Sequence, residues 1–488
     1  MKKYILTIDQ STTSTKAFLI NMNGKIVAEN SRKHKQIYPQ GGWVEHDPVE
    51  IYENLKSVVK ELLDRERVNS NEILCLSITN QRETTVIWDK ETGKPVYNAI
   101  VWQCRRTKEI CDSLSKYEDI ISEKTGLKLD SYFSGTKIKW ILENCSIEKE
   151  CLFGTIDSWL IYNLTNGKVH ATDATNASRT LLLNLKTLSW DKELLEIFNV
   201  DENMLPKVLE SDEIFGYTDI DGILEEEVPI TGVIGDSQGA LFAQRCYEPG
   251  MLKVTMGTGS SVMVNVGKEI IESEHGLVSA LGWKLKNEAV YSSEAIINCS
   301  ADTLNWVRNE LNLYEDDSEL EKIWAEYKGS DGVYVVPAFV GLGVPYWVED
   351  AKASICGLSR NSNKNHVIIA GLESIAYQIN DAIEAVRKLD GIEIKEIRAD
   401  GGASKNKLLM QFISDITNTE ILVNMETNLS AMGSFYIAMK AMDIDMSDVE
   451  EISERYFPNM QDAHRDKYIK GWKAAVAGVL AHRSVMEG

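Results

Sequence analysis

One pattern of strand, turn and strand occurs twice in this chain and restricts the folds that it can adopt. Residues 4–20 consist of an apolar run, a turn rich in hydroxyl groups and a second apolar run, and residues 252–266 repeat this order around a turn of sequence GTGSS. Recurrence of a whole structural unit indicates an internal duplication. The turn-forming residues 247–250 mark the boundary, so we predict one domain over residues 1–247 and a second over residues 248–488.

Helical and strand-like segments alternate along both halves of the chain. A helical pattern over residues 48–66 precedes the β-branched run 74–79, and a helical pattern over residues 363–388 precedes the run 394–399. Such alternation predicts an α/β fold. A further helix predicted over residues 429–442 contains several small residues, which suits close packing against either a backbone or a nucleotide.

Composition excludes several classes of protein. With 488 residues, 43% of them hydrophobic, the chain can bury two large cores. Its net charge of −22 argues against a nucleic-acid-binding surface. The eight cysteines form no CxxC pair. The longest run of small apolar residues, 474–481, is far shorter than the roughly 20 residues of a membrane span. We therefore expect a cytoplasmic protein with reduced thiols and with neither a nucleic-acid nor a membrane partner.

The two repeated turns are candidate phosphate sites. Successive backbone N–H groups in a tight turn converge on one point, and Thr and Ser hydroxyls add donors, so such a turn binds an anion without formal positive charge. Two of them facing each other across a cleft would hold a nucleoside triphosphate, with Asp9 near its Mg²⁺. Taken alone, each turn is more simply an ordinary hairpin, and it is the repetition that favours the phosphate site.

The segment GDSQG at residues 235–239 has two interpretations. It fits the G-x-S-x-G pattern of a nucleophile elbow, in which Ser237 would be the nucleophile of a serine hydrolase. Alternatively, Asp236 is a general base at the carboxyl end of a strand, where the sites of α/β proteins collect. This motif alone leaves both open, since four histidines downstream are candidate triad partners: His275, His366, His464 and His482.

A charged pair and two aromatic residues suggest a site for a small polyol. Arg82 and Glu83 follow the predicted strand 74–79, and Trp102 and Tyr132 come later in the same half. Charged groups bind hydroxyls, while an indole ring covers a short carbon chain. In isolation, an Arg-Glu neighbour pair is more often an ordinary surface feature.

Long segments of the chain resemble the FGGY family of carbohydrate kinases, and within it the glycerol kinases. The matching stretches run from end to end and include TIDQSTTST, ITNQRETT, YFSGTKIKWIL, TDATNASRT and DGGASKN. The resemblance implies two duplicated ribonuclease-H-like (actin-like ATPase) domains flanking a central cleft. It also implies phosphorylation of a primary hydroxyl of a short polyol, with ATP and Mg²⁺ as cofactors. Glycerol is the first candidate substrate and dihydroxyacetone or a tetritol the alternative, and a homodimer or homotetramer is the expected assembly.

The same resemblance assigns roles to particular residues. Asp236 would deprotonate the attacking hydroxyl, and Asp9 would lie at the metal. The residues expected to contact the polyol are Arg82, Glu83, Trp102, Tyr132, Asp236 and Ser237. The residues expected to contact the nucleotide are Thr12, Thr13, Ser14, Lys16, Thr258, Ala301, Asn305, Gly402 and Asn406.

Several positions depart from the family's pattern. Ser11 replaces the usual Gly of the first turn, while Ser237 stands where relatives place a Gln and Ser261 where many place a Phe. Ala301 and Asn305 replace a Gly and a Gln near the nucleotide. The pocket has thus lost an amide and a ring, which bears on the substrate more than on kinase activity. An actin- or Hsp70-like ATPase and an inactive relative remain the other classes to be distinguished.

Overall fold

Each half of the chain builds one central β-sheet. The computed structural model describes residues 2–147, 149–272, 275–286, 288–327, 329–348, 350–445 and 452–487. We call the residues up to 247 the N-terminal half and those from 248 the C-terminal half.

The strands of the N-terminal half are β1 (Tyr4–Gln10), β2 (Ser14–Asn21), β3 (Ile26–Lys33), β4 (Glu45–His46), β5 (Ile73–Asn80), β6 (Val86–Asp89), β7 (Ala99–Ile100), β8 (Cys151–Gly154), β9 (Ala171–Asp173), β10 (Leu183–Asn184), β11 (Ser189–Trp190), β12 (Lys207–Leu209), β13 (Tyr217–Thr218) and β14 (Val228–Gly235). Those of the C-terminal half are β15 (Met251–Met256), β16 (Ser260–Gly267), β17 (Val278–Leu285), β18 (Glu288–Ile297), β19 (Tyr334–Val336), β20 (Ser354–Cys356), β21 (Glu396–Asp400), β22 (Ile421–Asn424) and β23 (Ser453–Tyr456).

Fourteen α-helices accompany these strands in the described residues. Those of the N-terminal half are α1 (Pro48–Glu66), α2 (Lys108–Leu114), α3 (Glu118–Thr125), α4 (Ser134–Asn144), α5 (Ile156–Leu164), α6 (Ala174–Ala177), α7 (Lys192–Phe198) and α8 (Asp236–Ala243). Those of the C-terminal half are α9 (Asp302–Asn309), α10 (Asp317–Tyr327), α11 (Lys364–Val386), α12 (Lys407–Thr417), α13 (Leu429–Ala441) and α14 (Asp462–Glu487). Across the described ranges, no helix has the length and apolar content needed to cross a bilayer.

The two main sheets share the arrangement of five central strands. The N-terminal sheet has the order β13-β14-β5-β1-β2-β3, and the C-terminal sheet has the order β17-β18-β16-β15-β21-β22-β23. In the first, β1, β2 and β3 form an antiparallel meander, and β5 and β14 continue the sheet in parallel with β1. In the second, β15, β16 and β18 are the corresponding antiparallel strands, β21 and β22 are the parallel strands, and β17, which precedes β18 in the chain, is an additional strand at the edge. The expected duplication and the ribonuclease-H-like, actin-like α/β fold are therefore confirmed.

Local sequence explains the main elements. Helix α1 has the bounds predicted for it because Asp47 accepts the N–H of Val49 at 2.8 Å, Pro48 occupies the first turn and Arg67 ends the helix in a left-handed conformation. The buried residues of this helix recur at helical spacing, so they form one face. The central strands β1 and β5 are buried on both faces, as expected for parallel strands covered by helices on each side.

Helix α13 belongs to the C-terminal half in sequence but packs on the sheet of the N-terminal half. A Cβ atom at Gly433 would lie 1.9 Å from the carbonyl oxygen of Gly239 in α8, so no side chain fits there. Ser434 donates its hydroxyl to the carbonyl of Gly232 at 2.7 Å. Of the two explanations for the small residues of this helix, the structure supports close packing against a backbone.

Candidate active site

The carboxyl ends of three neighbouring parallel strands bring the acidic and basic candidates together. Asp9 lies near the end of β1, Arg82 and Glu83 follow β5, and Asp236 directly follows β14. Thr79 of β5 is in register with Asp9 on one side and with Ile234 on the other. The order β14-β5-β1 therefore gathers these side chains at one edge of the sheet, where α/β proteins bind ligands.

Asp9 has the environment of a metal-binding carboxylate. Burial raises its pKa to about 6, Lys16 opposite it on β2 lowers the pKa, and the nearby Asp236 raises it. Among the described residues there is no cluster of three His, Cys, Asp or Glu side chains that would form a complete metal cage. One or two carboxylates suit Mg²⁺, which keeps waters and takes its other ligands from phosphate oxygens. The carboxylate of Asp9 fits that ion.

The guanidinium of Arg82 is buried, and each of its three nitrogens contacts an acidic or amide side chain. Its Nε lies 3.4 Å from Oδ1 of Asp236, and Nη1 donates to Oε1 of Gln238 at 3.2 Å. Nη2 donates to Oε1 of Glu294, also at 3.2 Å, and Glu294 belongs to β18 of the other half. Burial lowers the pKa of Arg82, but Glu294 and Glu83 outweigh it and hold that pKa well above its usual value.

Glu83 is held in a strained backbone conformation. Its φ is 61°, in the left-handed region that residues with side chains seldom adopt, and its side chain is buried. Nε of Arg179 donates to Oε1 of Glu83 at 2.6 Å. Burial raises the pKa of Glu83, whereas Arg82 and Arg179 lower it. Strain of this kind persists only where the surroundings enforce it, and it clusters at functional sites.

Trp102 and Tyr132, which we call the aromatic wall, lie beside each other. Their ring centroids are 5.3 Å apart with an interplanar angle of 55°. The loop that carries Tyr132 is fixed by Lys137, whose buried Nζ donates to the carbonyls of residues 131, 132 and 133 at 2.6, 2.6 and 3.1 Å. Burial lowers the pKa of Lys137 to about 8. A buried ammonium group thus organises the wall through backbone carbonyls.

The first turn is anchored to this wall. Nε1 of Trp102 donates to Oγ1 of Thr12 at 3.0 Å, so a candidate polyol contact touches a candidate phosphate contact. The carbonyl of Thr12 accepts hydrogen bonds from Nε2 of His34 at 2.8 Å and from Nε2 of Gln36 at 2.9 Å. Burial lowers the pKa of His34. The position of Thr12 is therefore set by three side chains.

Within the first turn, the candidates differ in orientation. Thr13 is exposed and Lys16 is partly exposed, whereas Ser14 is buried. The N–H of Ser14 points to Oγ of Ser11 at 3.3 Å, and the same Ser11 hydroxyl donates to the carbonyl of Ser14 at 3.0 Å. Ser11, which stands in place of the family's Gly, is not among the residues of positive φ. The turn closes here through a serine hydroxyl and needs no glycine.

The second turn gathers the other nucleotide candidates at the end of the C-terminal sheet. The carbonyl of Thr258 accepts the N–H of Ser300 at 2.7 Å, and the N–H of Ala301 donates to the carbonyl of Gly257 at 3.1 Å. Ala301 precedes α9, which carries Asn305. The turn is thereby fixed to the start of that helix.

Gly402 and Asn406 follow β21, the strand next to β15. Gly401, with φ of 93°, lies so close to Met256 that a Cβ atom would be 2.3 Å from the carbonyl oxygen of Met256, which places Gly402 beside the second turn. Oδ1 of Asn406 accepts the N–H of Leu409 at 3.0 Å and begins α12. The amide nitrogen of Asn406 is the atom left for a ligand.

Ser237 does not have the geometry of a nucleophile elbow. It lies in the first turn of α8 and is not among the residues of positive φ, whereas an elbow serine sits in a strained turn. Its N–H donates to Oδ1 of Asp236 at 2.7 Å. The backbone therefore favours the interpretation in which Asp236, not Ser237, is the reactive group.

Sequence reasoning missed three residues of the site. Gln238, Arg179 and Glu294 all contact Arg82 or Glu83, and none was singled out. The available signal was a charged residue inside a segment that is otherwise apolar or small, such as Glu294 in the run YSSEAII. Charged residues are almost never fully buried unless they are paired.

Two family models together match most of this chain, and three relatives align with it over nearly its whole length. The N-terminal-domain model of the FGGY family of carbohydrate kinases matches residues 4–243, and the C-terminal-domain model matches residues 252–442. The chain is 46% identical to a glycerol kinase of Halothermothrix orenii over 493 residues and 47% identical to glycerol kinase 1 of Thermotoga maritima over 491, with 98% of this chain and 99% of each relative covered. A crystal structure of Plasmodium falciparum glycerol kinase with ADP has a TM-score of 0.91 and 36% identity, over 98% of both chains.

Proposed function

The chain belongs to the FGGY family of carbohydrate kinases, and we propose that it transfers the γ-phosphoryl group of ATP to a primary hydroxyl of glycerol, giving sn-glycerol 3-phosphate. The observation that carries this proposal is the meeting of Asp9, Arg82, Glu83 and Asp236 at one edge of the sheet. The choice of glycerol is supported by relatives named glycerol kinases that align over nearly the full length.

In the proposed mechanism, Asp236 is the general base. Its side chain is 37% exposed, so a substrate can reach it, and Arg82 beside it fixes its orientation. Asp236 accepts the proton of the attacking hydroxyl as that oxygen approaches the γ-phosphorus in line with the leaving group. Arg82 and Glu83 hydrogen-bond the polyol hydroxyls, while the rings of Trp102 and Tyr132 cover its carbons.

The nucleotide is proposed to lie between the two turns. Thr12, Thr13, Ser14 and Lys16 of the first turn would bind phosphate oxygens from one side, and Thr258 of the second turn from the other. The nucleoside would rest against Ala301, Asn305, Gly402 and Asn406, which surround the second turn. Asp9 would hold Mg²⁺, which neutralises charge on the phosphates when bound.

A short polyol other than glycerol is the second candidate. Ser237 has a short side chain at the site, and the hydroxyl of Ser261 is turned to Oε1 of Glu294 at 3.0 Å. The resemblance to the family implies larger groups at both positions, and we infer that the small serine side chains would leave room for an extra CHOH unit. Dihydroxyacetone and the tetritols are therefore included among the substrates to be tested.

We also propose a domain boundary, a cellular compartment and an assembly for the protein. We place the domain boundary at 247/248, which lies between the ends of the two matched family models at residues 243 and 252. All eight cysteines are free, which supports a reducing compartment and hence the cytoplasm. A homodimer or homotetramer remains our prediction for the assembly.

The experiment that tests the function is a substrate panel. ATP turnover is coupled to ADP detection with glycerol, dihydroxyacetone, erythritol, threitol, xylulose and gluconate, and the phosphorylated product is identified by ³¹P NMR. We expect stoichiometric ADP and glycerol 3-phosphate. ADP release without any phosphorylated polyol would instead support an ATPase, and no nucleotide turnover at all would support an inactive relative.

A further inference from the structure

Arg82 and Glu83 belong to a closed ring of four buried charges. Arg82 contacts Glu294 at 3.2 Å, Glu294 contacts Arg179 at 2.9 Å, Arg179 contacts Glu83 at 2.6 Å, and Nε of Arg82 lies 3.9 Å from Oε1 of Glu83. No side chain of the four is more than 5% exposed. Opposite charges alternate around the ring, with hydrogen bonds from Arg82 to Glu294 and from Arg179 to Glu83, and with ion-pair distances but no hydrogen bond at the other two contacts.

Each charge of the ring depends on the presence of its partners. Removing one partner of a buried ion pair is strongly destabilising, because it leaves a charge that is neither solvated nor neutralised. Burial alone raises the pKa of Glu294, yet Arg82 and Arg179 outweigh it and lower that pKa to about 2. Glu294 is therefore ionised and held by two arginines.

Three members of the ring come from the N-terminal half, and only Glu294 comes from the C-terminal half. It lies on β18, which pairs with β16. Ser261, directly after the first residue of β16, donates its hydroxyl to the same Oε1 that Arg82 binds, at 3.0 Å. Residues 257–259 immediately precede that strand and contain Thr258. A short path of contacts thus connects the second turn with Arg82.

We propose that Glu294 is a positioning residue that couples the two substrates. When the C-terminal half binds the nucleotide through the second turn, Glu294 holds Arg82 and, through Arg179, Glu83 in the geometry that binds the polyol. This rests on the proposed function, because it takes Arg82 and Glu83 as polyol contacts. By linkage, the nucleotide then increases the affinity for the polyol, and the polyol increases the affinity for the nucleotide by the same factor.

Equilibrium binding tests the coupling without turnover. The dissociation constant of glycerol is measured by calorimetry on the full chain, with and without a non-hydrolysable ATP analogue and Mg²⁺. We expect the analogue to lower this constant in the wild type by about fivefold or more, the ordinary range of coupled sites. In Glu294→Gln, the ratio of the dissociation constants measured without and with the analogue, which we call the coupling ratio, falls to about one. The KM for glycerol rises roughly tenfold or more, as for the loss of a charge-assisted hydrogen bond.

A matched control separates positioning from folding. Glu373 is also a fully buried glutamate of the C-terminal half, but its partners are Ser330 and Tyr377. Glu373→Gln should keep the wild-type coupling ratio. If Glu294→Gln does not fold, Ser261→Ala removes one hydrogen bond to Glu294 without removing its charge, and it should reduce the ratio part of the way.

The outcomes distinguish this proposal from the function itself. The positioning role is overturned if the wild type binds glycerol equally well with and without the ATP analogue. It is also overturned if Glu294→Gln or a soluble Ser261→Ala keeps the wild-type ratio of the two dissociation constants. In either case, phosphorylation of glycerol in the substrate panel leaves the proposed function intact. Absence of both phosphorylation and binding for every polyol of the panel overturns the function and the coupling together.

Discussion

Replacing Asp9 by Asn should stabilise the protein while it removes activity. Burial raises the pKa of Asp9 from 3.8 to about 6. At 1.36 kcal/mol per pKa unit, keeping this carboxylate ionised costs about 3 kcal/mol at neutral pH, an upper limit because Asp9 retains partial exposure. The amide of Asn has nearly the same shape and carries no charge. We expect Asp9→Asn to unfold at higher denaturant concentration, with a gain of about 1–3 kcal/mol.

The stability gained by Asp9→Asn should increase with pH. The folded-state pKa of Asp9 lies above the unfolded value, so the penalty is complete above about pH 6, shrinks as the pH falls and disappears below 3.8. Urea unfolding is followed between pH 4 and 8, with the exposed Asp64→Asn as a control expected to change stability by less than about 0.5 kcal/mol. A loss of stability in Asp9→Asn at pH 7.5, or a gain that does not depend on pH, would refute the reasoning.

Three further substitutions test packing, the first turn and the pocket. Gly433→Ala places a Cβ atom 1.9 Å from a backbone oxygen and should destabilise by about 2 kcal/mol or more in chemical denaturation, whereas Gly478→Ala, with no atom within 4 Å, should stabilise by up to about 1 kcal/mol. Trp102→Phe keeps a ring but removes the indole N–H bond to the first turn; we expect KM for ATP to rise about 3–10-fold, and an unchanged KM would contradict that contact's role. Ser237→Gln combined with Ser261→Phe should shift the kcat/KM ratio towards glycerol over erythritol, and a wild-type ratio above about a thousand would exclude an enlarged pocket.

The duplication and the strand ends could be predicted because they are local patterns. Residues 4–20 and 252–266 each contain their own apolar runs and turn, and the start of α1 follows from Asp47 and Pro48. The positions of Asp9 and of Asp236 at the end of a strand are local in the same way. These features need no knowledge of distant contacts.

The ring of charges could not be predicted in this way. Arg82 and Glu294 are 212 positions apart, and Glu83 and Arg179 are 96 apart. The sequence contains many other charged residues, and burial distinguishes these four only after the halves have packed. The crossing of α13 onto the N-terminal sheet is likewise a tertiary property.

The role of Asp236 as general base is the central claim, and one substitution tests it most directly. Asp236→Asn retains the size of the side chain but cannot accept the proton. The account predicts a fall in kcat for glycerol phosphorylation of roughly 10²–10⁴-fold, the contribution of a positioned base, with the dissociation constant of ATP unchanged. Ser237→Ala measured beside it should alter substrate preference only. A variant Asp236→Asn that keeps kcat within about threefold of the wild type, or a Ser237→Ala that abolishes turnover, would contradict the account.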